Sequence, residues 1–152
     1  MTQTIAAAGA GFLIAVLWFD LMFDVQVWRH CGESVVPDQV LASIAAYYRR
    51  VTTTASPMGR LVAGVMVVLI ATLVVQVARG DVAVWVSVTS FVAGGVAIGL
   101  ALVRLFGAAR RLGRREDSLG VQSALARGLL RGHVVCLVGM AVVLAMQVFA
   151  AR

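Results

Sequence analysis

The sequence predicts an all-α integral membrane protein: a bundle of four transmembrane helices with both termini outside the membrane. Three observations lead there: the composition, the number and length of the apolar runs, and the distribution of arginine. Of the 152 residues, 61% are hydrophobic and only 13% are charged. A soluble domain is nearer half apolar, with about a quarter of its residues charged. A chain this short has too little interior to hide so much apolar side chain from water. Lipid can accept it.

Four runs are long enough to cross a bilayer, at about residues 5–28, 61–78, 82–103 and 133–151. A span takes about 20 mostly apolar residues. The spans are expected to be helical, because hydrocarbon offers no partner to an unpaired backbone group. The alternating pattern of a membrane barrel is absent. No internal repeat or low-complexity linker divides the chain, so a single domain is expected. The first run lacks the positive flank of a cleavable leader and is expected to be a span.

Arginine sets the expected orientation. All 13 basic residues other than histidine are arginine, as a GC-rich genome would give, and the net charge is +6. The connections after spans one and three hold eleven of them; Arg79 and Arg152 are on the other side. The positive-inside bias then puts both long connections in the cytoplasm and both termini outside. A bacterial cytoplasmic membrane is the expected location. Arginines beside apolar runs point to anionic lipid headgroups rather than to nucleic acid.

The connections differ in length. Arg79-Gly80-Asp81 is a tight turn that forces spans two and three to lie antiparallel. The first long connection is expected to contain an amphipathic helix over residues 37–51, opened by Pro37. Leu41, Ile44, Tyr48 and Val51 form its apolar stripe. Such a helix suits the membrane interface, with its tyrosines at headgroup level. It is expected to end in the stretch Thr52 to Pro57. The second long connection runs from Arg104 to Gly132. Ser118 there is expected to open a helix that continues into span four.

The residues most suggestive of chemistry are Asp20 and Asp24. Four apart, they share one face of the first helix, one to two turns inside its cytoplasmic end. A carboxylate at that depth costs a few kcal/mol unless it is paired or solvated, and two ionised at this spacing repel. An arginine pair, a shared proton or a bound cation would each compensate. Arg29, His30, Arg60, Arg104, Arg131 and His133 are expected at the same level, as an ion-pair network or a polar pocket open to the cytoplasmic side.

Asp20, Asp24 and His133 are the catalytic candidates. His30, Cys31, His133 and Cys136 are a minor metal possibility, since His133 and Cys136 share a helix face. No metal or other cofactor is favoured, and no disulfide is expected between the two cysteines. Gly95 and Gly99 form a G-x-x-x-G suited to helix packing or to contact with a partner.

The layout, with four spans, a first loop reading PDQVLASIAAYYRR and a fourth span opened by the histidine of RGHVVCLVGM, resembles the anthrone-oxygenase-like family of small membrane proteins. That resemblance implies a possible site role for His133. The acidic pair in LWFDLMFDVQ departs from it.

The leading functional expectation is an accessory or scaffold subunit of a larger membrane assembly, with a membrane-protein partner or a homo-oligomer. The alternatives are a membrane enzyme acting on a lipophilic small molecule in the cytoplasmic leaflet, and a small ion- or proton-coupled transporter.

Overall fold

The computed structural model describes residues 1–54, 56–80 and 82–150. Ala55, Asp81, Ala151 and Arg152 lie outside them. They touch the expected helix break, the tight turn, the end of span four and the outer arginine count.

The described residues are helical throughout, joined by short connections. Helix α1 (Thr2–Asp24) tightens into a 3-10 segment, Val25–His30. Helix α2 (Asp38–Thr53) lies in the first long connection, and α3 (Ser56–Arg79) follows it. Helix α4 (Val84–Leu100) passes through a π-helical turn, Ala101–Leu105, into α5 (Phe106–Arg114) without a break. Helix α6 (Leu119–Ala150) closes the fold. Thr2–His30, Pro57–Arg79, Val84–Arg114 and Leu119–Ala150 are each long and apolar enough to cross a membrane. The chain is therefore a helical membrane protein.

Helix α6 packs against α1 and α4, and α3 joins those two on the far side. Buried residues on α6 recur at steps of three and four: Leu129, His133, Cys136, Met140, Val143 and Gln147. Valines between them, such as Val134, Val135 and Val138, face outward as a lipid-facing surface requires. Small residues bring the backbones close. A Cβ on Gly139 would sit 3.0 Å from the Ala93 carbonyl oxygen, and one on Gly94 would sit 3.2 Å from the Leu73 side chain. Gly95 and Gly99 behave differently: a Cβ on either meets nothing within 4 Å. For that pair, the expected packing within the bundle is therefore corrected, and the expected contact with a partner is untouched by this. The register turns Gly94 inward and the G-x-x-x-G outward.

One end of the bundle is closed by amides. Gln76 and Gln147, both fully buried, exchange side-chain hydrogen bonds of 2.8 and 3.1 Å, and Gln147 also donates to Ser90 at 2.9 Å. Gln3 reaches the Ala150 carbonyl at that end. Gly80, at φ 64°, takes the left-handed conformation that ends α3 there.

At the opposite end two helices run past the expected spans. The 32 residues of α6 rise about 48 Å, well beyond a hydrocarbon core of about 30 Å. The third span does not stop at Val103, because Leu105, Ala109 and Leu112 carry a buried stripe onward through α5. That stripe packs on α2, which lies across this end with Leu41, Ile44, Ala45 and Tyr48 buried. Contact is close: a Cβ on Gly113 would meet the Arg49 backbone nitrogen at 3.0 Å. Tyr48 is thus buried against protein rather than exposed at headgroup level. The loop into α2 is pinned to α6 by the Val36 N–H, which donates to Ser123 Oγ at 2.9 Å. Arg127 adds side-chain bonds to the His30 and Glu33 carbonyls.

Candidate functional site: carboxylates, an imidazole and two phenols on an apolar cavity

Where α2 crosses the bundle, it brings two adjacent tyrosines over the acidic face of α1. The Tyr47 hydroxyl donates to Asp20 Oδ1 at 2.7 Å, and the Tyr48 hydroxyl donates to Asp24 Oδ1 at 2.7 Å. The match is geometric. Adjacent residues on a helix diverge by about 100°, while the carboxylates they reach stand one turn apart. Tyr47 is held by its ring, which stacks on Phe23 with centroids 4.0 Å apart. Burial, then the neighbouring carboxylates, pushes both phenols well above their ordinary range. Each therefore remains an O–H donor.

From α6, His133 completes the cluster. Its Nδ1 is 2.6 Å from Asp24 Oδ2, and the residue is 6% exposed. Asp24 is fully buried, so its two oxygens serve Tyr48 and His133. An ionised carboxylate only accepts. Facing a carboxylate, Nδ1 presents its N–H, and in the neutral tautomer that this arrangement selects, Nε2 carries a free lone pair. Nε2 lies 3.9 Å from Asp20 Oδ2, beyond hydrogen-bond reach. Neither Nε2 nor Oδ2 has a hydrogen-bond partner among the described residues.

Both groups line a cavity of about 310 Å³. Every helix contributes to it. Leu13 and Leu17 come from α1, Val62 and Met66 from α3, Ala97 and Ile98 from α4, and Met140 from α6. Asp20, Tyr47, Tyr48, Thr52, His133 and Cys136 supply the polar atoms, and among the described residues no arginine lines the cavity. The rim residues Phe19, Met58 and Phe106 are exposed on the outside of the bundle. The π-helical turn forms part of the wall through Ala101 and Leu105. Leu105 is seated over Gly132 of α6, where a Cβ would collide with its side chain.

The three catalytic candidates, Asp20, Asp24 and His133, thus come together. The expected network of arginines around them does not. Arg29, Arg60, Arg104 and Arg131 are exposed, and among the described residues none pairs with either aspartate. Phenols and an imidazole take their place, since they reach the carboxylates from packed helices while the guanidinium groups extend outward. His30 pairs instead with Glu33 at 2.8 Å.

The four residues of the metal possibility are also dispersed. Cys31 is exposed, Cys136 points its thiol at the Ala97 carbonyl, and among the described residues no three His, Cys, Asp or Glu side chains gather as ligands. Tyr47 and Tyr48 were missed as site residues. Their only signal was adjacency on a helix beside an uncompensated acidic pair. Compared with family models, curated proteins and solved structures, the chain matches none of them.

Proposed function

We propose that this chain is a membrane enzyme performing acid–base chemistry on a lipophilic small molecule held in the cavity. One observation carries the reading: His133 turns an unpaired Nε2 into an apolar chamber while Asp24 holds its Nδ1. A carboxylate behind an imidazole fixes the tautomer and stabilises the imidazolium that forms on proton uptake. In this assignment His133 is the base, Asp24 positions it, Tyr48 positions Asp24, and Asp20 is a second carboxylate facing the substrate. The resemblance at His133 to the anthrone-oxygenase-like family points the same way.

The arginine distribution supports a cytoplasmic placement of this site, with both termini outside and α2 as an amphipathic helix at the inner interface. The membrane is then a bacterial cytoplasmic membrane, and the exposed arginines of α5 meet anionic headgroups. An accessory subunit has no evident use for such a chamber. A transporter needs access from both sides, and the buried Gln76–Gln147–Ser90 network closes the far end.

The test compares solvent extracts of membranes carrying the wild-type chain with membranes carrying His133→Gln at equal abundance. One lipid-soluble compound should accumulate in the variant and its product should disappear. Identical extracts, together with larger polypeptides that co-purify in constant ratio with both chains, would instead establish the accessory-subunit reading.

A further inference from the structure

The geometry points to a lipophilic primary amine, bound as its ammonium, as the ligand of the cavity; this rests on the acid–base reading above and names its substrate class. Two unpaired atoms face the chamber, Asp20 Oδ2 and His133 Nε2, 3.9 Å apart. Both are acceptors. Asp20 is bonded by Tyr47 only at Oδ1, and the His133 ring spends its proton on Asp24. A ligand that satisfies both through a single atom must supply two donors from it. A hydroxyl supplies one and a carbonyl none. An ammonium supplies three, and a nitrogen about 2.8 Å from each acceptor fits a 3.9 Å separation.

Charge selects in the same direction. As a carboxylate, Asp20 carries a negative charge at the cavity wall, and the neutral tautomer of His133 beside it does not offset that charge. Among the described residues no arginine lines the cavity to offset it. A cationic ligand removes the residual charge from a site where an unpaired charge is costly. A carboxylate or phosphate ligand would add to it. The remaining lining, mostly Leu, Val, Ala and Met, holds the apolar body. In the acid–base reading, the proton that His133 takes is one of the ammonium's own, leaving the neutral amine and an imidazolium backed by Asp24.

The test uses the full chain in lipid nanodiscs and three probes with one apolar body: 1-adamantylamine, 1-adamantanol and 1-adamantanecarboxylate. Wild type should bind the amine about tenfold or more tightly than the alcohol, as charge-assisted hydrogen bonds are about twice as strong as neutral ones. The carboxylate should not bind. In Asp20→Asn the amide oxygen can keep the Tyr47 bond while its NH2 faces the chamber, so the amine's advantage should vanish. Ala101→Phe, which fills the chamber, should abolish all binding.

An alcohol bound as tightly as the amine in wild type, and displaced by Ala101→Phe, would overturn the amine assignment and leave the pocket reading standing. So would an amine preference that survives Asp20→Asn. If no probe binds wild type, the pocket reading fails together with the inference.

Discussion

His133 and Asp24 depend on each other in a way that a single substitution exposes. In Asp24→Asn one oxygen is replaced by an NH2, yet both neighbours, the Tyr48 hydroxyl and Nδ1–H, are donors. One donor is left facing another, or the ring flips its tautomer and places the proton on Nε2. We expect a stability loss of about 1–3 kcal/mol in detergent melts, the usual cost of an unsatisfied buried group. Turnover should fall by roughly 10²–10⁴, the range typical of losing a general base. The phenols give a second residue-scale prediction. The chain contains two tyrosines, Tyr47 and Tyr48, so tyrosinate absorbance reads this site alone. Both phenols are raised by burial and by nearby carboxylates. No tyrosinate should appear around pH 10, where a free phenol ionises, until the fold opens. The unfolded chain releases these protons from about pH 10 upward, so stability should fall with pH in that window. Ordinary titration near pH 10 with the fold intact would contradict the cluster geometry. At this scale the acids and His133 were legible in the sequence, because an ionisable group inside or beside an apolar run demands an explanation. Tyr47 and Tyr48 were not. A tyrosine in an interfacial helix fits the aromatic-belt pattern equally well, and sequence periodicity does not say which way such a helix rolls.

Helices in this chain are positioned by a few close approaches, and glycine decides where they occur. Gly113 lets α5 touch the backbone of α2 at Arg49, and Gly139 lets α6 touch α4 at Ala93. Gly113→Ala and Gly139→Ala should each cost about 1–3 kcal/mol by overpacking, read as lowered melting temperatures. Gly113→Ala should also lift α2 off the acids and let the tyrosines titrate closer to normal, while far-ultraviolet circular dichroism keeps its helical signal. Gly99→Ala is the contrast. A methyl there meets open space, so the melt should be unchanged or rise slightly, as replacing a mid-helix glycine predicts. Spacing marked Gly95 and Gly99 and passed over Gly94, since small-xxx-small counting carries no information on which face turns inward. The ends of the spans were similarly under-read. Apolar content falls after Val103, yet Leu105, Ala109 and Leu112 keep a helical stripe running to Arg114. A span count stops where lipid stops; a helix stops where its backbone does.

The whole molecule is polar and arginine-rich at one end and closed by a small amide network at the other. The orientation proposed from that asymmetry can be tested with a thiol the chain already has. The four spans and their antiparallel order were the most legible features of the sequence, because bilayer thickness limits the possible answers. Sidedness rests on eleven arginines against two. Cys31 lies in the connection after the first span and is exposed, whereas Cys136 is buried in α6. If the arginine-rich end is cytoplasmic, a membrane-impermeant maleimide added to intact cells should leave the native chain unlabelled. After lysis the same reagent should add one label per chain, at Cys31, because Cys136 is packed against the Ala97 carbonyl. Ala83→Cys, an exposed position at the start of α4, should reverse the pattern and label in intact cells. Labelling of Cys31 from outside, with Ala83→Cys reached only after lysis, would invert the protein. The chamber would then draw its ligand from the outer leaflet, and the arginines would oppose the positive-inside bias instead of following it.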